Sequence, residues 1–283
     1  MNRPRRHHFV PRFYLEGFCT DDARALAVYD RVRNAYRAQR PTEVAHRRDY
    51  YAYEDEQGNL VFAIEEGLGE VEGAASAVIQ RVDNEAPLSD DDRLTLATYA
   101  AFQFTRTPAY AAWIAAFRQH FAGNVPLEQV AVLPDAPDPA ADRGVALGAM
   151  LRHAPRFAEV FMQFNWTIWR RESDRQSFVT TDSPVCIFQS ERPEPNIYAG
   201  AGMLMPGVIT ALPLSQASVL AMSGIGNRVD NRTLTGDWVR RVNLAVVSQT
   251  QHFVFGRDLA LVQSLVRATG TDRRQWQVPL QVD

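Results

Sequence analysis

The stretch Ile64-Glu65-Glu66-Gly67-Leu68-Gly69-Glu70-Val71-Glu72-Gly73-Ala74-Ala75-Ser76-Ala77-Val78-Ile79-Gln80-Arg81-Val82 places Ile64, Leu68, Val71, Ala75, Val78 and Ile79 at helical spacing. It predicts a long helix from Phe62 to Val82 with one apolar face. Ser89 followed by Asp92 is a capping pattern that opens a second helix through Leu96, Tyr99, Phe102 and Phe104. Pro108 has no backbone donor, so that helix kinks or restarts near Arg106 before Trp113, Ile114 and Phe117. Residues 124 to 142 are rich in Pro and Asp and read as a loop, and residues 144 to 163 return to a helical pattern.

Outward from this helical centre the pattern becomes extended. Upstream, Ala25 to Asp30 and Ala35 to Ala38 flank Arg33-Asn34 as a hairpin, and Tyr50-Tyr51-Ala52-Tyr53 reads as a third strand. Downstream, strands are expected at 164–169, 177–180, 185–188, 207–212 and 218–222, with two short helices near 235–249 and 257–268 around the run His252-Phe253-Val254-Phe255. The fold class is α+β: N-terminal antiparallel strands, central long helices, and a C-terminal mostly antiparallel sheet with two short helices. Residues 1–283 are read as one domain, with a subdivision into 1–123 and 143–283 about the loop 124–142 left open.

The composition, 46% apolar and 22% charged with net charge −3, is that of a soluble globular chain with no overall basic field. Arginines crowd residues 3 to 48, so nucleic acid is a partner that is open but not favoured. No apolar run is long enough for a membrane helix and no signal core follows the first charges, so the expected location is cytoplasmic, away from membranes. Cys19 and Cys186 lie among apolar neighbours and read as buried free thiols. All 30 cationic Lys or Arg positions are arginine. Without lysine, a Walker-type phosphate loop, a Schiff-base aldolase and a pyridoxal enzyme are excluded. A GC-rich coding sequence is the bland account of that bias, but any anion held must be held by guanidinium, backbone amides or a metal.

Several polar residues stand where packing does not want them. An advance of 100° per residue sets Glu65 and Glu72 within about 20° of each other at the edge of the apolar face, with Glu66 and Glu70 toward water. Such a pair suits a metal site or general acid/base chemistry, or else rims the core and pairs with arginine. Gln103 projects through the apolar face of the second helix, with Arg106 on the same side and the two glutamates as natural partners. Asp182, between two apolar runs and near Pro184, either closes a turn on its own backbone or is delivered at a strand end into a site. His7 and His8 are adjacent and point apart in an extended segment, so one at most is expected inside as a ligand.

Four stretches together resemble domain-of-unknown-function family 4238: His7-His8-Phe9-Val10-Pro11-Arg12-Phe13-Tyr14-Leu15; Ile64-Glu65 with Val71-Glu72; Gln103 with Arg106-Thr107-Pro108; and Thr180-Thr181-Asp182-Ser183-Pro184-Val185. The resemblance runs from residue 7 to the region of Asn243. In that family the turn usually reads Thr-Ser-Asp-Asn-Pro, and Thr181 and Ser183 depart from it while Asp182 does not. The resemblance implies no activity; it selects the residues that periodicity already made conspicuous.

The expectation is a hydrolase whose site collects His7 or His8 with Glu65, Glu72, Gln103, Arg106 and Asp182 between the helical layer and the C-terminal sheet. A divalent metal ion on His8, Glu65, Glu72 and Asp182, with Arg106 neutralising a phosphate or other oxyanion, would act on a phosphoester of a nucleotide, a nucleic acid or another small anionic substrate. Without a metal the same groups would do acid/base chemistry on an amide or ester. No nicotinamide, flavin or pyridoxal cofactor is expected. The alternative is a non-catalytic binding module in which the Arg-Glu-Gln-Asp network only fixes packing.

Overall fold

The computed structural model describes residues 5–20, 24–121, 143–189, 203–204 and 206–270. The expected helix is α2, Ala63–Asp83, and it buries Leu68, Ala75, Val78, Ile79 and Val82. Helix α3, Asp90–Thr105, opens as expected: Ser89 Oγ accepts from the Asp92 N–H at 3.2 Å, and the Asp92 carboxylate accepts from the Ser89 N–H at 2.9 Å. Arg106 caps its end, and α4, Pro108–Phe121, restarts with the proline at its first position, where no N–H is needed. Thr107 Oγ1 accepts from the Tyr110 N–H at 3.2 Å and caps this new start. Helix α5, Arg143–Met162, packs on α3, which also packs on α2.

Ahead of these helices lie β1 (Arg6–His8), α1 (Arg12–Glu16), β2 (Leu26–Asp30), β3 (Ala35–Gln39), β4 (His46–Arg48), β5 (Tyr53–Glu54) and β6 (Leu60–Val61). After them come β7 (Phe164–Arg171), β8 (Thr180–Thr181), β9 (Cys186–Gln189), β10 (Val208–Pro213), β11 (Ser218–Ile225), β12 (Val229–Leu234), α6 (Gly236–Ser248), β13 (Phe253–Gly256) and α7 (Leu259–Thr269). A five-stranded sheet has the order β12-β7-β11-β10-β9, antiparallel except for β12 beside β7. A four-stranded sheet, β3-β2-β13-β8, joins the N-terminal hairpin to C-terminal strands. Two ribbons, β1-β4 and β5-β6, complete the set.

Strand β11 reveals the layering. Leu220 and Met222 belong to a core shared with the N-terminal segment, α2, α3 and α5. Val219 and Ala221, on the opposite face, belong to a core shared with α6 and α7. The sheet is therefore covered on both faces, which is why β11 reads as a continuous apolar run and not as an alternation.

Three expectations need correction. Tyr50 and Tyr51 form a turn, and the strand beside them is the polar His46–Arg48 instead. Of Ser177 to Thr180 only Thr180 pairs in a sheet, because the side-chain amide of Asn243 takes the place of a neighbouring strand: its Oδ1 accepts from the Val179 N–H at 3.1 Å and its Nδ2 donates to the Ser177 carbonyl at 2.8 Å. Strand β12 was not expected. The loop expected at 124–142 lies outside the described residues.

Candidate functional site

The alternation of β1 turns His7 inward, where it is fully buried, and leaves His8 half-buried. His7 Nδ1 accepts from the Tyr51 N–H at 3.0 Å, and its ring stacks on Tyr51 at 5.8 Å with 9° between planes. A nitrogen that accepts carries no proton, so the neutral ring keeps its hydrogen on Nε2. Glu65, in the first turn of α2, brings Oε2 to 4.0 Å from this Nδ1. That oxygen is buried with no hydrogen-bond partner among the described residues, although the side chain as a whole is 36% exposed. Burial, with a smaller contribution from Glu72 and against the pull of Arg106, raises the Glu65 carboxyl to about 7.

Arg106 locks the surrounding lattice. Its Nε donates to the Tyr51 hydroxyl at 3.0 Å, its Nη1 to Glu72 at 2.7 Å and its Nη2 to the His8 carbonyl at 2.5 Å, while the guanidinium lies 5.2 Å over the Tyr51 ring. Burial opposes the charge, but Tyr51 and Glu72 outweigh it and push the Arg106 pKa up. Gln103 donates to the Phe9 carbonyl at 3.0 Å, which ties α3 to the segment after β1, and leaves its Oε1 buried without a partner among the described residues. Arg106, expected to neutralise a phosphate, is buried, and each of its three nitrogens donates a hydrogen bond within the protein.

His8 faces His46 across the ribbon, the rings 5.4 Å apart and edge to face. Burial, His46 and Arg106 lower His8 to about 4, against the backbone of Thr42 and Pro41. It is neutral near pH 7.

Asp182 stands apart. Its two carboxylate oxygens accept from the backbone N–H groups of Gln251 and His252 at 3.1 and 2.9 Å, and its own N–H donates to the Phe253 carbonyl at 3.0 Å. It neither closes a turn on its own backbone nor bonds to His7, His8, Glu65, Glu72, Gln103 or Arg106; it pins the 251–253 segment to the end of β8. Burial raises its pKa, opposed by His252. The expected metal set of His8, Glu65, Glu72 and Asp182 is thus not assembled, and among the described residues no group of three or more His, Cys, Asp or Glu side chains is placed to hold an ion. The structure brings together His7, Glu65, Glu72 and Arg106 directly, with His8 joined through its carbonyl and Gln103 through Phe9.

Sequence reasoning missed Tyr51, which bonds His7 through its backbone and Arg106 through its hydroxyl. It also missed Tyr99, whose buried hydroxyl has no hydrogen-bond partner among the described residues and feels Tyr14, Glu72 and Arg106. The adjacent Tyr50 and Tyr51 in a polar context were the available signal. Both thiols are buried as expected, and burial raises Cys19 to about 11.

These features define an α+β protein that carries a buried His-Tyr-Arg-Glu lattice where an N-terminal ribbon meets two helices. Over residues 6–259 the chain matches the family described as "Protein of unknown function (DUF4238)", and it belongs to that family. Comparison with curated proteins and with solved structures gave no match. No helix among the described residues is long and apolar enough to cross a membrane.

Proposed function

We propose that the protein is a hydrolase in which Glu65 is the general acid/base, His7 lies beside it, and the Arg106 lattice positions both. The observation that carries this reading is a carboxyl raised to about 7, with one buried oxygen 4.0 Å from a buried imidazole and an open side toward solvent. A proton donor and acceptor balanced near neutrality is what ester or phosphoester hydrolysis asks of a side chain. Protonated, Glu65 can give its hydrogen to a leaving oxygen; ionised, it can take one from an attacking water. His7 Nδ1 accepts from the Tyr51 N–H and has no second lone pair for Glu65, so the imidazole forms a fixed wall beside the carboxyl and proton exchange falls to Glu65. Arg106 acts through other groups and is a positioning residue.

The test is hydrolysis of a panel of carboxylic esters and phosphoesters by the wild-type protein and by Glu65→Gln, each confirmed folded. General acid/base assistance predicts a loss of kcat of about 100-fold or more in the variant. Hydrolysis unchanged by Glu65→Gln overturns the assignment. A second reading, that the lattice is purely structural, is favoured by the burial of Arg106 and its three bonds within the protein; it predicts no hydrolysis and a lowered stability when Arg106 is replaced.

A further inference from the structure

We propose that the outer edge of β12 is a dimer interface, where a second copy of the chain adds the same strand antiparallel about a two-fold axis through Asn231. Strand β12 ends the five-stranded sheet, with β7 on one side and no strand on the other among the described residues. In a parallel strand the N–H and C=O of one residue point to the same side, and successive residues point to opposite sides. The Arg228 carbonyl accepts from the Trp166 N–H at 2.8 Å and the Leu234 carbonyl from the Glu172 N–H at 3.2 Å, so the even-numbered residues of this segment bond to β7. Val229, Asn231 and Thr233 therefore turn both backbone groups outward, where no hydrogen bond among the described residues meets them. The other end of the same sheet is closed: at β9 the side-chain amide of Gln249 accepts from the Ile187 N–H at 3.0 Å and donates to the Ile187 carbonyl at 2.9 Å. Strand β12 has no such plug among the described residues, and Asp230 to Thr233 are exposed.

Open edges invite pairing with another chain and are usually guarded by charge. Strand β12 carries two charges, Asp230 and Arg232, opposite in sign and on the same face because they are two residues apart. Neither forms a salt bridge among the described residues, and Arg232 lies 5.9 Å from the centre of the Trp238 ring on α6. Charge and backbone direction together select one pairing. Odd-numbered residues must face odd-numbered ones to bond across the edge, so the two-fold axis passes through a residue position. With the axis at Asn231, that residue faces its own copy and Val229 faces Thr233, each such pair exchanging two hydrogen bonds. Asp230 then faces Arg232 on both sides of the axis, in the closer non-bonded positions with Cα atoms about 4.5 Å apart. Moving the axis by one residue sets Asp230 against its own copy, or Arg232 against its own copy, and like charges directly opposite repel. The edge is thus self-complementary in a single register. It contains none of the residues assigned to hydrolysis.

The experiment is sedimentation equilibrium of the full chain from micromolar to near-millimolar concentration, with the folding of each variant checked by its melting temperature. The wild type is expected to dimerise within that range. Asp230→Arg sets arginine opposite Arg232 on both sides of the axis, and Arg232→Asp sets aspartate opposite Asp230; each should weaken dimerisation about tenfold or more. Mixing these two variants, or combining both substitutions in one chain, brings opposite charges together again and should restore the dimer. Asn231→Pro removes an N–H that β7 does not use, so the sheet keeps its own ladder while the central bonds of the interface are lost and dimerisation weakens. A chain that stays monomeric throughout the range overturns the proposal and leaves the edge guarded by its charges or open to a strand of another protein. A dimer that the charge variants do not weaken also overturns it. So does loss in both single variants with no recovery on mixing.

Discussion

Replacing Arg106 by Met removes three donated hydrogen bonds and the charge that meets Glu72 at 2.7 Å. Breaking a buried ion pair typically costs about 3–5 kcal/mol. Two features place this site at the lower end. Glu72 is 25% exposed and can regain water, and the Tyr51 hydroxyl can still donate to the His8 carbonyl, now at 3.4 Å. The expected loss is about 3 kcal/mol for Arg106→Met. Glu72→Met leaves a guanidinium with 2% side-chain exposure without the acid it bonds and should cost at least as much. Because a buried pair exchanged for apolar side chains is often neutral, the double variant should return to within about 1 kcal/mol of wild type. Urea unfolding of the four proteins, compared through midpoints and m values, measures this coupling. A double variant that loses the sum of the two single losses would refute the idea that the two residues are held together mainly by each other's charge.

Glu65→Gln should stabilise the protein at pH 8 and leave it unchanged below about pH 4.5. The sign follows from a folded pKa of about 7 above the ordinary 4.5: the folded state holds the proton more tightly, so stability falls as pH rises through that window and stays low above it. Discounted for 36% exposure, the gain is on the order of 1 kcal/mol; melting at the two pH values checks it, and equal melting temperatures at pH 8 count against it. For His8 the folded value of about 4 lies below the ordinary 6.5, so stability drops as pH falls between them, and His8→Gln should flatten that drop in a pH series of unfolding curves. Asp182→Asn leaves the Gln251 or His252 N–H without an acceptor and should cost about 1–3 kcal/mol in urea unfolding while any hydrolysis per folded molecule survives; a stable but inactive variant would return Asp182 to the site. Elemental analysis of the purified protein should find no near-stoichiometric metal that His8→Ala and Glu72→Ala both remove; finding one would show that the donors do assemble.

Local chemistry made much of this legible. The apolar spacing of α2, the Ser89-Asp92 box, the restart at Pro108 and the Arg33-Asn34 hairpin each depend on residues a few positions apart. The side of α2 occupied by Glu65 and Glu72 followed from helical geometry, and the pairing of Arg106 with Glu72 from the need of a buried guanidinium for an acid. What depends on distant partners did not. Strand β4 is His-Arg-Arg and β12 is mostly exposed, so neither carries an apolar signature; pairing with β1 and β7 defines them. Asp182 looked available because its ligands, the amides of Gln251 and His252, lie about seventy residues on. Tyr51 looked like strand because an aromatic run has strand propensity, and only the demands of His7 and Arg106 turn it into a hub.

The central claim, that Glu65 is balanced near neutrality beside His7, is tested most directly by carbon NMR titration of carboxyl-labelled glutamate, with the Glu65 signal assigned by its absence in Glu65→Gln. The account predicts a midpoint near 7, about 7 being the value its burial imposes. A midpoint at the ordinary 4.5 would contradict it and leave the lattice as packing alone.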